Sequence, residues 1–368
     1  MTALGAGAYG RCVSDAGTGT LTQSRARIER ICQLGLDART LRRQIVEELR
    51  RVVAFEAHAW LLTDPASAVG AAPVADVPWM RELPRQIRLK YATAINRWTS
   101  LGDRPVALLH DTTAGHPAQS LVWRDLLVRY GIGDVASVVF EDRFGCWAFL
   151  ELWRSHTAGR FTGAEAQFLA DLVNPLTLAL RRCQANTFVV RPPRDQPRLG
   201  PVVLLLSPEL QVRSQTPQAQ EYLRLLVPPG EDRQPIPAAA YNVAAQLLAV
   251  EDGIDSSPPT ARVHVSDGFW MTVRAARLDS AGWAGEQDIA VTFEESSAAE
   301  RVDLFCRAHG LTARERELID QLVAGHDTRE IARRMFLSAN TVQDHLKSIF
   351  AKTATRNRRT LLSRALGS

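Results

Sequence analysis

Four prolines fall within eleven residues in RPPRDQPRLGP, Arg191–Pro201. Proline lacks the amide hydrogen that a helix interior or central strand needs, and it pushes the preceding residue out of the helical region. No regular element can run through this stretch, so the chain must fold as at least two bodies on either side of a stiff linker at 188–200. A length of 368 residues allows two or three domains at roughly 100–200 residues each.

Ahead of the linker, residues 1–20 are rich in Gly, Ala, Ser and Thr and read as a disordered tail, not a secretory signal. Residues 21–187 form the first body. Ile28, Ile31, Leu34, Leu41, Ile45, Leu49 and Val52 recur at helical spacing, giving two helices broken near Gly35. EAHAWLLTD (Glu56–Asp64) reads as a strand, 65–78 as an Ala/Pro-rich loop, and Met80–Trp98 and Ser120–Gly131 as helical. DVASVVFEDRFGCWAFLELW (Asp134–Trp153) is a hairpin turning at Asp-Arg-Phe-Gly. Thr162 and Glu165 have capping-box spacing and should start a long helix over Phe161–Arg182, with Pro175 expected to kink it.

After the linker, residues 201–295 form a second body of mixed elements. It begins with the apolar run Val202–Leu206, continues through helices near Thr216–Leu226 and Ala238–Val250, and has a hairpin at Ala261–Leu278 around Asp267-Gly268. Asp288–Glu295 is a further strand, and 296–309 a connecting helix.

The last segment, 310–368, differs in kind. Residues 300–368 hold 13 Lys/Arg against 8 Asp/Glu, whereas the other 299 residues hold 31 against 32. A basic end on a near-neutral body suggests a polyanionic partner. Thr312 and Glu315 form a capping box, Leu318, Ile319, Leu322 and Val323 follow at helical spacing, and Gly325 ends that helix. Thr328 is placed to cap a short second helix; Leu337 and Ser338 form a turn; Val342, Leu346, Ile349 and Phe350 give the third helix an inner face. A fourth helix is expected near Arg358–Leu366. Two helices joined by a tight turn let the second enter a DNA major groove. Its polar side would carry Asn340, Thr341, Gln343, Asp344 and Lys347 to base edges and phosphates. Lys347, Lys352, Arg356, Arg358 and Arg359 can neutralise phosphates, and His345 would meet a phosphate or pack. A helical bundle used for protein association, its charges merely solvated, has the same spacing.

LTARERELIDQLVAG…EIARRMFLSANTVQDHLKSIFAKT resembles the four-helix, wing-free DNA-binding domain of the LuxR/FixJ type over about 60 residues. The resemblance implies that the third helix reads the groove, that Thr328 and Ser338 join the contacting set, and that the fourth helix supports dimerisation. Two departures stand out. Gln343 replaces the family's common Lys, which implies an altered base preference; Thr353-Ala354-Thr355 replaces Leu-Gly-Val before the fourth helix. The first body resembles a GAF domain and the second, more weakly, a PAS domain. The expected fold class is therefore α+β: two α/β sensor-like domains followed by an all-α helix-turn-helix domain.

Sheets covered by helices often enclose a small-molecule pocket, and Trp60, Trp98, Trp147, Phe149 and Trp153 are the candidate lining. Strict alternation puts Trp147, Phe149, Glu151 and Trp153 on one face and Cys146, Ala148, Leu150 and Leu152 on the other, without saying which is inward. The same aromatics would serve equally as core and interface groups. Expected partners are double-stranded DNA, a second copy of the chain, a small-molecule effector, and RNA polymerase as a further candidate. The alternative is that the front domains only dimerise or bind a protein. Dispersed His58, His110, His116 and His156 argue no metal site, and no cofactor loop or nucleophile–base pair suggests an enzyme. Five scattered cysteines and the absence of an 18-residue apolar run fit a cytoplasmic chain outside the membrane. Cys146 reads as a buried apolar residue in preference to a redox group.

Overall fold

The computed structural model describes residues 9–189, 202–226, 238–266, 268–278 and 287–367. Most of the proline-rich linker, and Asp267 of the Asp-Gly turn, lie outside the described residues.

The first body comprises α1 (Tyr9–Ile31), α2 (Ala38–Leu49), β1 (Ala57–Thr63), β2 (Gly70–Asp76), α3 (Leu83–Ala92), β3 (Val106–Leu108), the short α4 (Leu109–Thr112) and α5 (Leu121–Asp125), β4 (Ile132–Asp142), β5 (Gly145–Ser155) and α6 (Gly163–Asn186). Its strands form one antiparallel sheet in the order β2-β1-β5-β4-β3. Helices α1, α2 and α6 cover one face, and α6 begins at the reciprocal Thr162–Glu165 cap. The proline at 175 lies inside α6 without ending it. Asp37 caps α2 through hydrogen bonds from the amides of Arg39 and Thr40, which explains the break near Gly35.

Three expectations need correction here. The helix α1 starts at Tyr9, inside the segment read as a disordered tail. β2 occupies part of the presumed Ala/Pro loop; as an edge strand pairing only with β1 it tolerates Pro73, whose missing amide hydrogen can face away from the ladder. The third concerns Trp147. The β4–β5 register shifts between the pairs Phe140–Ala148 and Glu141–Cys146, so a bulge inserts Trp147 and moves it to the other face. Trp147 therefore packs with Ala148, Leu150 and Leu152 on the α1/α2/α6 side, and Cys146 joins Phe149 on the opposite side.

The second body contains β6 (Val202–Leu206), β7 (Val212–Gln215), α7 (Ala219–Leu226), α8 (Ala238–Glu251), β8 (Thr260–Ser266), β9 (Phe269–Arg277) and β10 (Ile289–Glu295). Its sheet order, β7-β6-β10-β9-β8, repeats that of the first sheet when strands are counted from the first of each. The Ala-rich α8 is apolar nearly all round, because it packs on β9 and also on α3 and β2 of the first body.

Polar bonds fix this seam. Asp64, just past β1, accepts from the Arg262 guanidinium at 2.7 and 2.8 Å and from its amide at 2.8 Å. Arg262 also reaches Asp303 at 2.7 Å, on the connecting helix α9 (Ala298–Ala308). Asp303 in turn pairs with Arg307 and with Arg316 of the C-terminal unit. Arg97 pairs with Asp255 and bonds Gln246 at 2.8 Å. Phe188, just past α6, stacks on Trp270 of β9 and meets Phe305 of α9 edge-on, so one aromatic cluster ties three parts together.

Candidate nucleic-acid interface and a cavity between the front bodies

The C-terminal unit is four helices: α10 (Ala313–Val323), α11 (Thr328–Arg334), α12 (Ala339–Thr353) and α13 (Arg358–Leu366). Leu318, Ile319, Leu322, Ile331, Met335, Val342, Leu346, Ile349 and Leu361 fill its core, each at most 4% exposed. The α12 members Val342, Leu346 and Ile349 are spaced i, i+4, i+7, so they share one face, and Asn340, Gln343, Asp344 and Lys347 are left exposed on the others. Lys347 and Asp344 pair at 3.2 Å with side chains 77% and 71% exposed. So open a pair contributes little and can exchange for a phosphate or base contact.

Ser338 and Thr341 do a local job first. Ser338 is the N-cap of α12, accepting from the Thr341 amide at 3.1 Å, with the two hydroxyls 2.9 Å apart. The cap of α11 is Asp327, not Thr328; its carboxylate accepts from the Glu330 amide. Thr328 is the first helical residue, and its hydroxyl accepts from Arg358 at 2.5 Å, so these two candidates are brought together. His345 is half-buried on α12, whereas Arg356 and Arg359 are exposed.

Lys352 is placed differently from expectation. Its ammonium donates to both oxygens of Glu315, at 2.9 and 2.7 Å, tying α12 to α10. Glu315 is 3% exposed and also accepts from Ser348 at 2.7 Å and from the Thr312 amide at 2.7 Å. Burial alone would raise this carboxyl, but the bonds from Lys352, Ser348 and Thr312 pull it down to about 2. The capping-box glutamate is thus also the acid that anchors α12.

The Thr353-Ala354-Thr355 departure is accommodated. Ala354 takes the left-handed conformation that glycine would, at φ 48°, and the buried hydroxyls of Thr353 and Thr355 lie 2.9 Å apart. Sequence reading passed over Phe336, which is 95% exposed and held at φ 55° in the turn before α12. No sequence pattern marks a phenylalanine as both solvent-facing and left-handed. Helix α13 lies against α9, with Leu361 and Ala365 buried.

The candidate ligand residues divide between the two faces of the first sheet. Trp60, stacked on Phe140, and Trp147 belong to the α1/α2/α6 core, on the face of the sheet away from the cavity that the other candidates border. Phe149 and Trp153 line a cavity of about 610 Å³, and Trp98 stacks on Phe149 at 4.2 Å from behind. The wall also includes residues of α2, β2 and α3, and α8 and β8 of the second body complete it. Inside, Lys90 pairs with Glu151, which also accepts from Ser137 at 3.0 Å. Burial, helped by Arg50, lowers His58 on the wall to about 4, so it is neutral at ordinary pH. Burial pushes the Cys146 thiol up to about 12, which suits an apolar residue and not a nucleophile.

A capped helix, a tight turn and an outward polar helix on a compact four-helix unit define a helix-turn-helix domain. Residues 309–365 match the family described as "Bacterial regulatory proteins, luxR family". A "CsgBAC operon transcriptional regulatory protein" of Escherichia coli is 48% identical over 48 residues, 13% of this chain and 22% of that one. A "Monoamine regulon transcriptional regulator" of Klebsiella aerogenes is 46% identical over 54 residues, 15% of this chain and 24% of that one. The chain thus covers about a quarter or less of the length of these curated relatives. A "Sensor region of a sensor histidine kinase" aligns over 65% of this chain and 84% of that chain at 14% identity, with a TM-score of 0.17 that carries no argument about fold. The C-terminal unit is a luxR-family domain, a family of regulatory proteins and not of enzymes. No helix among the described residues is long and apolar enough to cross a membrane.

Proposed function

We propose that the chain is a sequence-specific DNA-binding regulator of transcription, with α12 in the major groove and the two front bodies as GAF-like and PAS-like sensor domains. The observation that carries this reading is the outward row Asn340, Gln343, Asp344 and Lys347 on a luxR-family helix. Gln343 can bond an adenine edge in bidentate fashion, Asp344 can accept from a cytosine amino group, and Lys347 can meet phosphate. Arg356, Arg358 and Arg359 add charge without sequence information. One domain of this size buries modest area on DNA, so two copies acting on paired half-sites are the functional unit. RNA polymerase is a further partner in this reading, and the cytoplasm is where it acts. The relatives' roles as transcriptional regulators support the DNA-binding half of the proposal.

The cavity against the first sheet supports effector sensing over the alternative that the front bodies only dimerise or bind a protein. Occupancy would bias the seam where α8 meets α3 and β2, and the bonds Asp64–Arg262–Asp303–Arg316 lead from that seam to α10. Selection of bound duplexes from a random oligonucleotide pool tests the core of the proposal. Lys347→Ala should weaken binding to all sequences and lower the salt slope by about one. Gln343→Ala should cost about 1–3 kcal/mol at one base position and relax preference there. Unchanged affinity and preference in both variants would overturn the placement of α12.

A further inference from the structure

Five arginines are buried among the described residues, and three of them meet a carboxylate. Arg97 meets Asp255 at 2.8 Å, Arg154 meets Glu165 at 2.6 Å, and Arg262 meets Asp64 at 2.7 Å. Two hold none: Arg301, whose guanidinium bonds the Gly268 carbonyl and is not among the residues of the cavity wall, and Arg42 of α2, which is 2% exposed and is. Its Nε donates to the Ala38 carbonyl at 2.9 Å, and its Nη1 donates to the carbonyls of Trp60 and Ala72, each at 2.7 Å. Its Nη2 makes none of these bonds. Asp37 attracts it only at a distance, since the oxygens of that carboxylate serve the α2 cap. Carbonyl dipoles offset part of the cost of burying a cation, but a full counter-charge is missing.

Arg42 lies on the wall of the cavity described above, as do Arg39 and Arg43 of the same helix. Five basic side chains line that cavity against three carboxylates, and two of the three are already engaged: Asp76 with Arg50 at 3.0 Å, and Glu151 with Lys90. Much of the remaining wall is apolar, with Leu61, Val74, Met80, Ile87 and Phe149 among it. Trp153, also on the wall, leaves its indole N–H without an acceptor among the described residues. A volume of about 610 Å³ suits a metabolite-sized organic molecule.

We infer that the cavity takes a small carboxylic acid with an apolar body, its carboxylate supplying the counter-ion that Arg42 lacks. The inference rests on the effector-sensing part of the function proposed above. The carboxylate accepts from Arg42 Nη2, with the exposed Arg43 favouring entry of an anion, and the body lies along the β2 and α3 walls. Neutral analogues leave the guanidinium uncompensated, and amines add a second buried cation beside it. Because α8 and β8 complete the cavity, the acid touches both bodies at once.

Isothermal titration of the full chain with indole-3-acetate, 4-phenylbutyrate and decanoate, each beside its methyl ester and the matching amine, tests this. At least one acid should bind, tenfold or more tighter than its ester, with no heat from the amine. Arg42→Met should abolish acid binding; because Arg42 also ties β1 to β2, the exposed Arg43→Glu is the second variant, and it should weaken acid binding at least threefold. An ester or amine bound as tightly as its acid, or no binding by any of the three acids, overturns the inference. Duplex binding without acid is measured in parallel. Failure of acid binding with intact duplex binding strikes only this inference, while loss of duplex binding strikes the functional proposal itself.

Discussion

Replacing Glu315 with Gln keeps the side-chain volume and one accepting oxygen for the Thr312 cap, but removes the charge that Lys352 meets from α12. The carboxyl sits at about 2 against an ordinary 4.5, which corresponds to roughly 3 kcal/mol of folding free energy at neutral pH. The carboxylate itself is buried, but the Lys352 side chain is 33% exposed, and solvent screening there reduces the expected contribution to about 2 kcal/mol. The folded value lies below the unfolded one, so this stability is fully present above about pH 5 and is lost as pH falls toward 2. Urea denaturation followed by far-ultraviolet circular dichroism should give Glu315→Gln a deficit of about 2 kcal/mol at pH 7, shrinking by about two-fifths at pH 3.5. Other carboxylates titrate in both proteins and cancel in the difference. A deficit that stays constant over this range, or one below about 0.5 kcal/mol at pH 7, would show that the Glu315–Lys352 pair does not hold α12 in place.

Asp64→Asn leaves Arg262 buried with half its neutralising charge, so a loss of about 3 kcal/mol in the same denaturation assay is expected; a loss under 1 kcal/mol would mean that water or another group compensates. Ala354→Gly relieves a left-handed alanine at φ 48° and should raise stability by up to about 1 kcal/mol. Phe336→Gly removes the same kind of strain at φ 55° and should also stabilise, by about 1 kcal/mol, because the exposed ring gives up little packing. A loss of stability would show that the exposed ring packs against the turn more than its exposure suggests. Raising salt from 50 to 200 mM should cut duplex affinity steeply, by ~10³-fold or more if six or more phosphates are met, and a flat salt response would count against the phosphate contacts proposed for Lys347, Arg356 and Arg359.

Much of this molecule is written in local code. The capping boxes at Thr162–Glu165 and Thr312–Glu315 are reciprocal caps in the structure, because a hydroxyl and a carboxylate three residues apart satisfy each other's amides whatever lies beyond. Apolar spacing placed Val342, Leu346 and Ile349 inside and left Gln343, Asp344 and Lys347 facing water, since a helix has one geometry and side chains follow it. What periodicity does not contain is who sits across the gap. Lys352 turned from a phosphate contact into the partner of Glu315, 37 residues away. Trp147 changed faces because of one bulge, and a period-two reading carries no information about an inserted residue. Arg42 has no carboxylate only because helix, edge strand and second body converge around it, and the cavity it borders exists only once α8 has docked on β2 and α3. Burial and counter-charge are properties of neighbours brought together in space, and those neighbours come from segments that the sequence keeps far apart.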